Sequence, residues 1–122
     1  MSEEKVTMVI GASPNEERYS NLAVKRLRQQ GHSVIAIGAK QGKIGDVDII
    51  SNAPPVAGVD TVTLYLNPQR QRAYYDYILS LKPKRIIFNP GTENDELQEL
   101  AWQSNIVPVE ACTLVMLSTG QY

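Results

Sequence analysis

The residues of this chain that could do chemistry are suited to holding an anion rather than to breaking bonds. The run Gly11-Ala12-Ser13-Pro14-Asn15-Glu16-Glu17-Arg18-Tyr19-Ser20 sets a glycine, two hydroxyls and a guanidinium between an apolar segment and an amphipathic one. A glycine there lets the backbone turn tightly and come close to a ligand. The helix that follows aims unpaired N–H groups and a positive dipole end into the same space. A diphosphate suits that field, with Ser13 and Ser20 as hydroxyl donors and Arg18 as a charge partner. The plainer alternative is a strand-to-helix turn capped by Ser20. Further on, Ile37-Gly38-Ala39-Lys40 puts a lysine where binders of NAD carry a carboxylate for the ribose hydroxyls. A cation at that corner favours a ligand with a phosphate on its ribose, such as coenzyme A or NADP. Lys40, and less directly Lys43, are the candidates, with solvated surface lysine as the alternative reading.

Other chemistries lack their parts. Gly31 is the next glycine after Gly11, so Gly-x-Gly-x-x-Gly is absent, and no Gly-x-x-x-x-Gly-Lys-Ser/Thr run is present. One histidine, His32, leaves a Ser-His-Asp triad or a histidine–zinc cluster with nothing to work with. Cys112, the single cysteine, excludes an internal disulfide framework and fits a reducing cytoplasm. With no histidine beside it, it reads as a small buried thiol rather than a nucleophile. Glu93, Asp95 and Glu96 resemble a catalytic group, but their place at the start of a helical segment accounts for them through the helix dipole.

The elements that position these residues alternate between short apolar runs and amphipathic stretches. Strand-like runs cover 6–10, 33–37, 46–50, 61–66 and 85–88, with a last one at 106–109 where Pro108 suits an edge. Helical patterns cover 20–30, closed by Gly31, and a stretch opened by Asn67-Pro68 with Ala73, Tyr74, Tyr77, Ile78 and Leu81 on one stripe. A third places Leu97, Leu100 and Ala101 inward. The tail from Glu110 has no clear assignment. Right-handed crossovers then favour a single α/β domain spanning residues 1–122, a Rossmann-like three-layer sandwich on a mainly parallel five-stranded sheet in the order 3-2-1-4-5. In such sheets ligands bind beyond the carboxyl ends of the strands, at the switch point between strands 1 and 4.

The chain has 122 residues, 43% of them hydrophobic and 20% charged, which suits one globular domain with one core. No apolar run approaches the ~20 residues of a membrane span. The start, Met1-Ser2-Glu3-Glu4-Lys5, is polar and acidic, unlike a secretory signal. A net charge of −1 argues against a dedicated nucleic-acid binder.

Taken together, Val9-Ile10-Gly11-Ala12-Ser13, the stretch from Asn21 to Gln30 with Gly31-His32-Ser33-Val34-Ile35 after it, Lys40, Asn89-Pro90-Gly91 and Glu110-Ala111-Cys112 resemble the CoA-binding domain family. That family comprises small stand-alone bacterial proteins similar in fold to the N-terminal CoA domain of the succinyl-CoA synthetase α-subunit. The resemblance implies that Gly11, Ala12 and Ser13 lie along the diphosphate and Lys40 near the ribose phosphate. It implies that Leu66, Asn67 and Pro68 border the adenine or pantetheine path, that Asn89 and Gly91 belong to a glycine-containing loop beside it, and that Cys112 sits close to the cofactor. The chain departs from the family at Thr113, where proline is common, and at Ala111, where synthetase-like members have asparagine. The expected function is binding of coenzyme A or an acyl-CoA without catalysis. The protein would act as a carrier, a sensor or an accessory subunit, with a homodimer or an acyl-CoA enzyme as partner. The competing expectations are an NADP-type enzyme and an oligomeric scaffold whose site has decayed.

Overall fold

The computed structural model describes residues 4–122, so Met1-Ser2-Glu3 lie outside the described residues. The strands are β1 (Val6–Ile10), β2 (Ser33–Ile37), β3 (Gly42–Ile44), β4 (Val47–Ile50), β5 (Thr61–Leu64), β6 (Arg85–Phe88) and β7 (Val107–Glu110). The helices are α1 (Tyr19–Gln29), α2 (Pro68–Gln71), α3 (Tyr75–Leu81), α4 (Asp95–Gln103) and α5 (Thr113–Ser118), with a 3₁₀ turn at Arg72–Tyr74. They build a Rossmann-like α/β fold on one mostly parallel sheet in the order β3-β4-β2-β1-β5-β6-β7.

Seven strands replace the expected five, and the order 3-2-1-4-5 is corrected accordingly. Each edge strand is one that the five-strand order omits. At one edge β3 folds back antiparallel on β4, pairing Gly42 with Ile49 and Ile44 with Val47. Gly45-Asp46 makes that turn, and a three-residue strand that itself begins with Gly42 gives too little alternation to read as a strand. At the other edge β7 runs parallel to β6, with Pro108 opposite Ile86. The missing N–H of Pro108 is tolerated there because one side of an edge strand needs no partner.

The period of two along each strand divides the core between the faces. Met8, Ile10, Val62, Leu64, Ile86 and Phe88 pack with Ile78, Leu97 and Ala101 beneath α3 and α4. Val9, Ala36, Ile44 and Ile49 pack with Val24, Leu27 and Leu117 beneath α1 and α5. Each fully buried aliphatic or aromatic side chain stabilises the fold by about 1.5–3 kcal/mol relative to exposure. The stripe after Pro68 is not one helix: α2 ends at Gln71, a 3₁₀ turn intervenes, and α3 begins at Tyr75. Ala73 falls in that turn and is exposed, whereas Ile78 and Leu81 are buried as the stripe requires.

The segment after α5 crosses to the amino ends of the strands. There the Tyr122 hydroxyl meets Thr7 Oγ1, and its main-chain oxygen accepts from Lys5 Nζ and from Arg85 Nη2. The Arg85 guanidinium lies over the Tyr122 ring at 4.5 Å, and His32 packs against that ring at 5.1 Å between centroids. His32 is 3% exposed, and its Nδ1 accepts the Lys5 N–H at 3.0 Å.

Burial, then the nearby Lys5 and Arg85 cations, lower the His32 pKa below its usual 6.5, while Glu4 and Asp60 oppose the shift. The unfolded chain therefore binds the proton first. This contribution to stability is complete above about pH 6.5 and is lost as pH falls from there through the folded-state value. Thermal unfolding between pH 8 and pH 5 is expected to show Tm declining below pH 6.5, and H32Q is expected to flatten that segment of the profile.

Candidate functional site

The carboxyl ends of β1, β2 and β4 are stitched together through two carbonyl oxygens, those of Ile37 and Ile50. The N–H groups of Gly11 and Ala12 both donate to the Ile37 carbonyl at 2.9 Å, and the Gly38 N–H donates to Ile50 O at 3.0 Å. These bonds bring the loop after β1 against the end of β2, and the Tyr65 N–H, donating to Ile10 O at 2.9 Å, brings the segment after β5 beside it. Gly11 has φ +98°, and a Cβ built on it would lie 2.9 Å from the Tyr65 carbonyl carbon. A Cβ on Gly38 would lie 2.2 Å from Ala12 O. Gly11 is thus fixed by both conformation and contact, Gly38 by contact alone.

The same bonds change the inventory of donors in the loop. Gly11 and Ala12 spend their N–H groups inside the fold, and Ala12 is 5% exposed. The Asn15 and Glu17 N–H groups go to Ser13 Oγ and Asn15 Oδ1, and the Arg18 N–H goes to Asn15 O. Among the described residues, the N–H groups of Ser13, Glu16, Tyr19 and Ser20 have no protein partner. Arg18 is the N-cap of α1 and makes no side-chain cap bond, so the opening of the helix is unfilled from within. Ser20 stands inside the first turn, 3% exposed, rather than capping it. Its backbone, more than its hydroxyl, is the available donor.

Lys40 lies in the exposed bend that follows β2, and no carboxylate lies within salt-bridge distance of it among the described residues. Lys43 is paired with Asp48 at 3.4 Å, as an ordinary surface lysine would be.

The loops after β5 and β6 are joined by buried side-chain amides. Asn67 caps α2 by accepting the Arg70 N–H at 2.9 Å, with Pro68 as the first helical residue. Gln71 is fully buried, and its Nε2 donates to Leu66 O and Thr92 O, both at 2.8 Å. Asn94 Nδ2 reaches Gln71 Oε1 and the Tyr75 hydroxyl, which donates to Glu96 Oε1. Asn89 is 2% exposed and fully engaged: Nδ2 donates to Thr63 Oγ1 and Leu64 O, and Oδ1 accepts the Thr113 N–H at 2.9 Å. Its side chain organises the site's wall and has no bond to spare. Gly91, at φ +90°, donates its N–H to the Glu93 carboxylate.

Cys112 is half-buried at the N-cap of α5. The Tyr65 hydroxyl, close to Cys112, Thr63 and Thr113, is buried without a hydrogen-bond partner among the described residues. Burial, and then the neighbouring Cys112, push its pKa well up, so the phenol stays neutral.

The structure therefore gathers Gly11, Ala12, Ser13, Arg18, Ser20, Leu66, Asn67, Pro68, Asn89, Gly91 and Cys112 on segments at the carboxyl end of β1, β5, β6 and β7, with Lys40 beyond β2. The sequence reading missed Gly38, Gln71, Asn94 and Asn21. A glycine directly after a strand end was visible at Gly38, but its close contact with Ala12 was not. No group of three or more His, Cys, Asp or Glu residues able to hold a metal ion occurs among the described residues.

Ala in place of Gly11 or Gly38 is expected to cost about 1–3 kcal/mol through strained backbone or overpacking. Urea unfolding of G11A and G38A checks this, with an exposed helical control such as Q29A expected to change much less than either.

Comparison with known proteins follows the same lines. A solved structure of an uncharacterised protein is 53% identical over 99% of this chain and 100% of its own length, with a TM-score of 0.97. A Thermus thermophilus protein matches the fold at TM-score 0.85 and 18% identity, over 98% of this chain and 91% of its own. A hypothetical protein from Pyrococcus horikoshii does so at TM-score 0.84 and 22% identity, over 95% and 82%. No curated protein matches the chain. The CoA binding domain family matches over residues 5–118, nearly the whole length, and the chain belongs to that family.

Proposed function

We propose that this protein binds coenzyme A or an acyl-CoA and carries out no reaction of its own. Family membership supports the ligand class. The observation that carries the reading to particular residues is the opening of α1, where the Ser13, Tyr19 and Ser20 N–H groups are left without protein acceptors. A diphosphate placed there meets several N–H donors and the positive end of the helix dipole, an arrangement that needs no dedicated side chain. In this reading Gly11 and Ala12 shape the loop, Ser13, Tyr19 and Ser20 supply N–H groups, and Arg18 adds charge from the rim. Lys40 then meets the ribose 3′-phosphate, and Leu66, Asn67 and Pro68 line the path toward Gly91 and Cys112. The groups these loops bring together are N–H donors, primary amides and single cations, which supports binding as the activity.

Coenzyme A at one hundred times its Kd is expected to stabilise the fold by about 2.7 kcal/mol, which corresponds to roughly ten degrees in Tm for a domain of this size. K40A is expected to weaken coenzyme A by about tenfold, the scale of one charge-assisted contact, and to leave dephospho-CoA unchanged. Calorimetric titration of both ligands against both proteins reads this. Absence of any shift with coenzyme A, acetyl-CoA or succinyl-CoA at millimolar concentration overturns the reading, and protection by NADPH alone replaces it with an NADP-type site.

A further inference from the structure

Among the described residues, two buried side-chain atoms lack a hydrogen-bond partner, Asn21 Oδ1 and the Tyr65 hydroxyl, and both belong to residues that touch or adjoin the loop after β1. Asn21 lies in the first turn of the eleven-residue α1 and is 2% exposed. Its Nδ2 donates to Ser13 O at 2.9 Å, so the amide is aimed into the loop facing the helix opening. A buried amide with one end unpaired is disfavoured relative to an apolar residue of similar size. Its neighbours Ala23, Val24 and Leu27 on the same helix are apolar, as a purely structural position would be.

The neighbouring sequence gives the amide a task. Ser13 is followed by Pro14, so the peptide group between them has a carbonyl and no N–H. In a loop that faces an anion, that carbonyl is a repulsive dipole unless something turns it away. Asn21 Nδ2 is the group that holds it. We propose that Asn21 is the positioning residue of the anion site: it pins the Ser13 carbonyl to the buried flank of the first turn of α1, so that the Ser13, Tyr19 and Ser20 N–H groups, and not that carbonyl, face the phosphates. This inference rests on the coenzyme A reading for the ligand's identity, but it concerns the phosphate end alone.

The experiment is calorimetric titration of coenzyme A and dephospho-CoA into the wild type, N21A and N21D, with amide chemical shifts of the wild type and N21A followed during titration with inorganic pyrophosphate. N21A is expected to weaken both nucleotides by about tenfold, because the contact concerned is one hydrogen bond to a group facing a charge. N21D, which cannot donate to Ser13 O and adds a negative charge, is expected to weaken them by about a hundredfold or more. The ratio of the two affinities stays at the wild-type value, since the 3′-phosphate lies elsewhere. Pyrophosphate is expected to shift the Ser13, Tyr19 and Ser20 amides of the wild type and not those of N21A. Should N21D fail to fold, N21A and the amide shifts decide. A lower Tm with unchanged affinities makes Asn21 merely structural and overturns the proposal while the coenzyme A reading stands. Amide shifts with pyrophosphate in a wild type that ignores coenzyme A, abolished in N21A, do the reverse.

Discussion

The Ile37 carbonyl, shared by the Gly11 and Ala12 N–H groups, is the constraint on which the arrangement of the site depends. It ends β1 at the moment the chain must leave the sheet, and it fixes the direction in which the chain leaves. Two donors on one oxygen pull the loop across the end of β2 rather than straight out into solvent. The cost is borne by glycines: Gly38 must be bare to let Ala12 O approach, and Gly11 must be bare to pass Tyr65. From there the only course open is over the carboxyl ends of the central strands and into α1. The N–H groups left without protein partners are those that come after this turn, not those that make it.

A second feature follows from the first. Loops that run over strand ends lose the ladder bonds that strands provide, and buried polar backbone must be satisfied in some other way. Here primary amides take over. Asn89, Gln71, Asn94 and Asn21 each carry a donor and an acceptor on one short planar group, which lets one side chain join two chain segments. Asn89 ties β5, β6 and α5, while Gln71 ties the loops after β5 and β6. A hydroxyl would supply both roles with less reach, and a carboxylate would supply acceptors but no donor.

The alternation of apolar runs made the Rossmann-like fold and its mostly parallel sheet legible from sequence, because Val9, Ile10, Ile37, Ile86 and Phe88 announce buried strands by composition alone. Of the two edge strands, β3 escaped that logic, while β7, legible at 106–109 as a strand suited to an edge, found no place in the five-strand order. β3 is three residues long and shows only Ile44 to the core, and β7 contains a proline and is half-exposed, so neither contributes enough apolar pattern to define a place in the order. At the site, the loops were legible since chain order and handedness select them. The division of labour inside them was not. The resemblance implies that Gly11 and Ala12 lie along the diphosphate, and only the long-range bond to Ile37 shows that their N–H groups are used within the fold. Asn89 likewise read as a loop residue open to a ligand, whereas its amide is consumed by partners 24 to 26 positions away in sequence. Pairings at that distance leave no local periodicity.

The wiring of α5 joins the two ends of the sheet. Its first N–H is held by Asn89 at the site, its Leu117 packs under β1 and β2 with the α1 residues, and the chain beyond it delivers Tyr122 to Lys5, Thr7, Arg85 and His32 at the far end. A six-residue helix has little stability of its own. It persists because both of its ends are tethered by long-range bonds. Cys112, at the N-cap of this helix, is thus held in place by the Asn89 bond to Thr113 and by the packing and C-terminal contacts beyond it. The Gln71 and Asn94 network is built from other segments, those after β5 and β6, and shares none of these tethers.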